Sequence, residues 1–200
     1  QALLDEALGG GADLVLVHHV YFWRGEAAPL VGMKAGRIAT LFKAGAGLLA
    51  YHLPLDAHPD LGNNRQLGLR LGFDRGAPID GLLWGVELEQ SMPADVLVGR
   101  IESALGRAPL VVGRAVELGR VAWCTGAAQG MIEQAAAEGF DAFISGEISE
   151  QTVHQAHELG ILYIAAGHHA TERYGVQALG EELAREFAVS HRFIEIANPV

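Results

Sequence analysis

The sequence predicts an α/β fold with mostly parallel sheets flanked by helices. Short apolar runs alternate with stripes of helical period along nearly the whole chain. Glycine is abundant, at 26 of 200 residues, which suits many tight turns between strands and helices. Half of the residues are hydrophobic, so the chain can form a sizeable core.

Each element is predicted from an apolar run or from an apolar stripe that follows a capping residue. The predicted strands are residues 12–17, 47–51, 82–88, 121–124, 141–144, 161–166 and 191–197. The first predicted helix covers residues 36–44, and Asn63 and Asn64 are predicted to cap the second. The third begins at Ser91 and Pro93 and ends at Gly106. The remaining three follow Gly130, begin at Ser149, and carry the apolar stripe from Val176 to Phe187. Residues 2–8 resemble the tail of a helix, so either a segment precedes residue 1 or the gene product is short, and residues 74–81 are expected to link two lobes.

Charge and composition exclude several classes of protein. The formal net charge is −10, and no cluster of Lys or Arg is longer than two residues. Both features disfavour binding to nucleic acids and to anionic membranes. No apolar stretch approaches the roughly 20 residues that span a bilayer, and no signal-peptide pattern is present. The single Cys124 excludes a disulfide framework and a Cys-rich zinc site. It lies in an apolar run, which predicts a buried packing thiol and fits a cytoplasmic protein.

Polar side chains that ligate metals follow several of the predicted strands. These are His18, His19, Asp56, Glu147, His168 and Glu172. In parallel sheets such residues gather at the carboxyl edge. Three histidines with Asp56 and Glu172 form a nitrogen and oxygen ligand set that suits Zn, Fe, Mn, Co or Ni. Five ligands exceed the needs of one tetrahedral zinc, so a carboxylate bridging two ions is predicted.

Each part of this pattern has a plainer interpretation. Adjacent histidines on a strand point to opposite faces, so only a turn lets His18 and His19 reach one site. Glu172 follows His168 by four residues and His169 by three, and it also suits an ordinary helix start. Residues 126–130 form either a phosphate cradle or, as the favoured interpretation, a tight turn. Trp23 and Trp84 are predicted to be packing residues.

Four ordered motifs resemble the Nif-three-like (NGG-interacting-factor-like) family, and among its members the bacterial YbgI-like branch. They are residues 17–26 (VHHVYFWRGE), 52–64 (HLPLDAHPDLGNN), 145–151 (SGEISEQ) and 166–173 (AGHHATER). Members of the family are often named GTP cyclohydrolase I type-two homologues. Two departures are visible, because Val20 stands where many relatives have Pro and Glu147 where many have Asp.

The resemblance implies two α/β lobes with a two-metal cleft between them. The first lobe would comprise residues 1–76, completed by about 165–200, and the second residues 77–164. It also implies a toroidal homohexamer whose metal sites face the interior. The implied ligands are His18, His19, Asp56, His168 and Glu172, with His19 and Asp56 on one ion, His18 and His168 on the other, and Glu172 as the bridge. Glu147 and His169 would support the ligands or act as acid and base.

Two hypotheses about function follow. The first is a metal-dependent hydrolase acting on a small molecule, for which the family name indicates a purine nucleotide such as GTP. A phosphoester or another cyclic amide is equally compatible with the sequence. The second is a non-enzymatic protein in which the metals hold a ring together as a scaffold, metal carrier or regulatory partner.

Overall fold

The computed structural model describes residues 1–200 and places them in nine α-helices and eight strands. The helices are α1 Ala2–Gly9, α2 Gly32–Ala44, α3 Leu53–Ala57, α4 Asn63–Arg70, α5 Ala94–Leu105, α6 Ile132–Ala137, α7 Glu150–Leu159, α8 His168–Thr171 and α9 Tyr174–Phe187. The strands are β1 Leu14–Val17, β2 Gly47–Ala50, β3 Ala77–Asp80, β4 Leu83–Pro93, β5 Leu110–Val112, β6 Glu117–Cys124, β7 Ala142–Ser145 and β8 Leu162–Ala165. The predicted α/β class is confirmed.

The strands form two sheets. Strands β1 and β2 pair in parallel as a small sheet. The large sheet has the order β3-β4-β6-β7-β8-β5, and its three central strands β6, β7 and β8 are parallel. The outer strands β3, β4 and β5 pair antiparallel with their neighbours. The prediction of parallel pairing therefore holds for the small sheet and for the centre of the large one.

Both faces of the large sheet are covered. One face packs α4, α5 and the start of α9 in a core of 18 buried residues that includes Trp123. The other face packs α6 and α7 in a core of 11 buried residues that includes Cys124. A separate, smaller core of four buried residues lies at the small sheet. None of the helices combines the length and the apolar character that a membrane span requires.

Helix α4 lies unusually close to the large sheet because a glycine faces the sheet. A Cβ atom on Gly68 would lie 2.7 Å from the ring of Trp123. The indole N–H of that fully buried tryptophan donates to the backbone oxygen of Asn64 at 2.8 Å. This packing fixes the first turn of α4 against the end of strand β6, and the same turn supports the candidate site.

Several predicted boundaries need correction. Helix α4 begins at Asn63 with Gly62 as its N-cap, so Asn63 and Asn64 are not caps but lie inside the first turn. The segment 74–81, predicted as a linker, contains the edge strand β3. Helix α2 begins at Gly32, and helix α5 begins at Ala94, after a strand that continues to Pro93.

The predicted strand at residues 191–197 is wrong. The segment pairs with no other strand, because side-chain contacts hold it in place instead of a backbone ladder. Arg192 forms an ion pair with Glu6 at 2.9 Å, and Glu195 pairs with His169 and Arg173. Partial alternation of apolar residues in this segment reflects Ile194, which packs on the core of the small sheet.

Candidate metal centre

The carboxyl ends of five strands carry the candidate site. In the large sheet, Cys124 is level with Ser145, and Ser145 is level with Ala165. In the small sheet, Val17 is level with Ala50. The residues that follow these strand ends include His18, His52, Glu147 and His168, so the backbone register alone brings the motifs to two sheet edges.

Three imidazole nitrogens converge on one oxygen of Glu172. Oε2 of Glu172 lies 2.8 Å from His168 Nε2, 3.2 Å from His19 Nε2 and 3.6 Å from His18 Nε2. Two ligands bound to one zinc-like ion at about 2.0–2.1 Å stand roughly 3–3.4 Å apart. The His19 distance lies within that range and the other two lie about 0.2 Å outside it, so the spacing around Glu172 is close to that of a ligand set.

His18 has a ring nitrogen that the protein leaves without a hydrogen-bond partner. Its Nδ1–H donates to the backbone oxygen of Tyr51 at 2.9 Å, which fixes the proton on that nitrogen. Nε2 is buried and unpartnered, yet it faces Asp56 Oδ1 at 3.4 Å and Glu172 Oε2 at 3.6 Å. A lone pair that faces two carboxylates requires a proton or a cation between them, so this residue fits a bound metal ion.

Asp56 is held by two buried asparagines. The Asn63 side-chain amide donates to Asp56 Oδ1 at 2.8 Å, and the Asn64 amide donates to its backbone oxygen at 3.3 Å. The other ends of both amides are also used, because Asn63 Oδ1 accepts from Gly175 N–H and Asn64 Oδ1 accepts from Thr125 N–H. Sequence reasoning missed this role, since Asn at a predicted helix start is indistinguishable from a cap.

His168 bridges two carboxylates. Its Nδ1 lies 2.7 Å from Glu147 Oε1, and its Nε2 lies 2.8 Å from Glu172 Oε2. A carboxylate on the far nitrogen is the arrangement that orients a metal-binding histidine and raises its basicity. The structure thus brings Glu147 to the group through His168.

The carboxylates and imidazoles of the group shift one another's pKa. Hydrogen bonds to Glu172 and then to Glu147, against some burial, raise the pKa of His168 to about 9. Burial acts to raise the pKa of Glu172, but hydrogen bonds from His168 and His19 and the charge of His18 outweigh it and hold the pKa at about 2. Glu172 is therefore ionised and ready to bind a cation at neutral pH.

The donors fall into two groups that share Glu172. One contains His18, Asp56 and Glu172, and the other contains His19, His168 and Glu172. This geometry groups the histidines differently from the pairing that the resemblance implies, which places His19 with Asp56 and His18 with His168. A third group adds His52 to the two adjacent histidines.

His169 lies apart from these groups. Its Nε2 faces Glu195 Oε1 at 2.5 Å, and Glu195 also contacts Arg173 at 3.2 Å. The backbone N–H of His169 donates to the oxygen of Val200. The structure therefore ties His169 to the C-terminal segment and not to the ligand set.

Trp23 and His52 lie at the exposed side of the site and are not simply packing residues. The ring of Trp23 contacts the ring of His52 edge-on, with 5.0 Å between centroids, and lies 6.3 Å from that of His19. Trp23 is 44% exposed, whereas Trp84 is buried as predicted. Burial acts first to lower the pKa of His52, and the charge of His18 lowers it further, so that His52 is neutral near pH 7.

Neither Cys124 nor the turn at 126–130 contributes a ligand. Cys124 is buried in the core, and burial raises the pKa of its thiol to about 12, which confirms the predicted packing role. In the turn, Gly126 N–H donates to Thr171 Oγ1 and Ala128 N–H donates to Ser145 Oγ. These amides are therefore used by the protein itself, which favours the tight turn over a phosphate cradle.

The comparisons with known proteins agree with one another. The family model described as Duf34/NIF3 (NGG1p interacting factor 3) matches residues 1–199. The GTP cyclohydrolase 1 type 2 homolog of Allochromatium vinosum is 55% identical over 202 residues, covering 99% of this chain and 80% of the relative. The Escherichia coli K12 protein of the same name is 51% identical, covering 100% and 81%.

Two solved structures share the fold. A structure described as protein ybgI, of unknown function, has a TM-score of 0.94 and 49% sequence identity, covering 100% of this chain and 82% of its own. TTHA1606 from Thermus thermophilus has a TM-score of 0.92 and 32% identity, covering 100% and 81%.

Proposed function

The chain belongs to the Duf34/NIF3 family, and from this membership and the convergence of three imidazoles on Glu172 we propose that it is a dinuclear metal-dependent hydrolase of small molecules. The observation that carries the proposal is the sharing of Glu172 between two donor groups. His18 and Asp56 would hold one ion, His19 and His168 the other, and Glu172 would bridge them. A set of nitrogen and oxygen donors without a thiolate suits Zn, Fe, Mn, Co or Ni.

Polar residues next to the proposed metal ligands favour a catalytic site over a purely structural one. Two divalent ions held by the ligands would supply Lewis acidity for hydrolysis. The chain itself contributes Glu147, which fixes the His168 ring through Nδ1, and His52, whose neutral imidazole can accept a proton at the mouth of the site. His169 with Glu195 is a second proton-transfer candidate, which in this structure lies outside the donor groups.

The substrate class follows from the relatives. Their name, GTP cyclohydrolase 1 type 2 homolog, points to a purine nucleotide. We propose a nucleotide or a related small molecule as the substrate, and cytoplasm as the location, which the free thiol of Cys124 supports.

We further propose that the chain assembles into a homohexamer. Four large apolar residues at the start of α2 and along it are 47–81% exposed, which is typical of a surface covered by a second copy. They are Leu30, Val31, Met33 and Phe42. This surface also supports the alternative function, a metal-stabilised scaffold without turnover.

Metal content is the decisive measurement. Protein purified without an affinity tag should carry about two divalent ions per chain by elemental analysis, and His19→Ala should carry fewer. His154→Ala, which removes an exposed histidine on α7, is the matched control and should retain both. Wild type that is folded but takes up no zinc, manganese or iron would contradict the proposal. Two ions without turnover of nucleotides or phosphoesters would favour the scaffold.

A further inference from the structure

The loop that carries His18 and His19 continues into an unusual surface. In this protein of net charge −10, residues 20–37 contain three basic residues, Arg24, Lys34 and Arg37, against one acidic residue, Glu26, a local charge of +2. Helix α2 places Lys34 with its Nζ 4.4 Å from the centroid of the Phe22 ring. The same helix places Arg37 beside the ring of Tyr21. We name the turn 21–26 together with Lys34 and Arg37 the cationic lip.

Trp23, one of the three aromatic residues of the lip, borders the candidate metal centre. Trp23 lies against His52 and His19, and the turn that carries it is closed by a hydrogen bond from Glu26 N–H to Trp23 O at 3.2 Å. Trp23 is 44% exposed, whereas the other two tryptophans are almost fully buried. An exposed indole beside imidazole ligands offers a stacking surface to a planar ring.

Two of the three cations of the lip have no carboxylate partner. Lys34 is engaged by Glu26 in an ion pair, but Arg24 is exposed and has no carboxylate partner. Arg37 also lacks one, and its Nε is buried without a hydrogen-bond partner. Because the chain as a whole is strongly negative, a local excess of positive charge favours binding of an anionic group at the lip.

We propose that the cationic lip is the substrate-docking surface, with Trp23 stacking on a planar heteroaromatic ring and Arg24 and Arg37 neutralising an attached phosphate. The inference rests on the proposed function, because the lip has this role only beside a reactive centre. It narrows the substrate to an anionic heteroaromatic molecule and names the residues that select it. A neutral ring would contact only Trp23, and a free phosphate would contact only the two arginines.

The fluorescence of Trp23 can be used to measure ligand binding at the lip. Because Trp84 and Trp123 are buried, quenching of tryptophan fluorescence at red-edge excitation reports mainly on Trp23. GTP should quench the metal-free, full-length protein saturably, guanosine should bind about tenfold more weakly, and inorganic phosphate should not quench. Arg24→Gln should weaken GTP binding about three- to tenfold, with the effect reduced by salt, and Arg24→Lys should restore most of it.

Matched variants separate the lip from general electrostatics. Lys43→Gln removes the same charge from the far end of α2 and should change GTP affinity less than twofold. By equilibrium dialysis, Trp23→Leu should lose about tenfold in affinity, while Trp23→Phe keeps a ring and should lose little. Equal losses in Lys43→Gln and Arg24→Gln, or no saturable quenching by GTP, would overturn the inference.

Two further results distinguish this inference from the proposed function. If acrylamide fails to quench Trp23 because a second copy covers it, the lip is an assembly surface and the inference is wrong. If the loaded protein hydrolyses a nucleotide with a KM that Trp23→Leu and Arg24→Gln leave unchanged, the inference fails and the proposed function stands. Lip-dependent GTP binding to a protein that takes up no metal would refute both the proposed metal centre and the role of the lip in substrate docking, and would leave the lip as a nucleotide-binding surface only.

Discussion

Replacement of Asn63 by aspartate tests the site with a change of one functional group. The buried amide of Asn63 donates to Asp56 Oδ1 at 2.8 Å, and its oxygen accepts from Gly175 N–H at 2.7 Å. Asn63→Asp preserves the shape of the side chain and the bond from Gly175. It replaces the donor that faces Asp56 with a second carboxylate oxygen, so charge changes while packing volume does not.

We expect the metal-free variant to be about 3–5 kcal/mol less stable than wild type at pH 7. A buried hydrogen bond to a charged group contributes about 1.5–3 kcal/mol. Two carboxylates in contact raise the pKa of one of the pair, and each unit of that rise corresponds to about 1.4 kcal/mol. The loss should lower Tm by about 10 °C and leave the protein folded at 25 °C.

The loss should shrink in acid. In the variant, one carboxyl of the pair has a folded-state pKa above its unfolded value of about 3.9. The folded state therefore binds that proton first, and stability relative to wild type falls as pH rises from the unfolded toward the folded pKa. Below the unfolded value both carboxyls are protonated in both states, and the repulsive part of the loss disappears.

The assay is denaturant unfolding at pH 7 and pH 4, with a chelator present throughout, alongside elemental analysis of reloaded protein. Asn198→Asp makes the same substitution at an exposed residue and should change stability by less than about 0.5 kcal/mol. The reloaded Asn63→Asp variant should lose the ion assigned to His18 and Asp56. A loss below about 1 kcal/mol that does not depend on pH, with full metal content, would refute this account of Asn63.

Three other changes test separate contacts. Gly126→Ala places a Cβ atom 1.9 Å from Glu172 Oε1 at a φ of +67°, so metal affinity should fall at least about tenfold, whereas Gly130→Ala in the same turn meets nothing within 4 Å and should not change it. Glu172→Ala should lower the affinity for both ions, and two ions bound with unchanged affinity would contradict its bridging role. Cys124→Ser should leave metal content intact, and the wild-type thiol, with its pKa near 12, should react with thiol reagents only on unfolding.

The sequence predicts the edge at which the site lies because register in parallel sheets is a backbone property. Apolar runs mark β1, β2, β7 and β8, and the polar residues that follow these runs gather at the carboxyl edges of the two sheets, where the strands end. This inference needs no knowledge of side-chain direction. Five of the six residues that it identifies lie in the two groups that share Glu172, and the sixth, Glu147, contacts them through His168.

The hydrogen-bond partners of a side chain cannot be predicted in this way, because the same residue type can cap a helix or bind another side chain. Asn63 and Asn64 precede a helical stripe, which is where caps stand, and only the hydrogen bonds of the folded chain show that their amides face Asp56 and Thr125. The segment 191–197 shows the converse error, since apolar alternation there reflects contacts with the core and not a strand.

The division of the donors into two groups that share Glu172 also depends on local geometry that the sequence does not contain. Strand β1 ends at Val17 and the chain bends at His18 and His19, which meets the requirement that a turn must let both adjacent rings reach one site. The bend buries His18 against Asp56 and leaves His19 half-exposed toward His168. One imidazole therefore lies in the buried donor group with Asp56, while its neighbour lies on the side of Trp23, from which we propose that a substrate enters. Loss of metal should accordingly begin at the His19 side, and stepwise chelation of His18→Ala and His19→Ala protein would test that order.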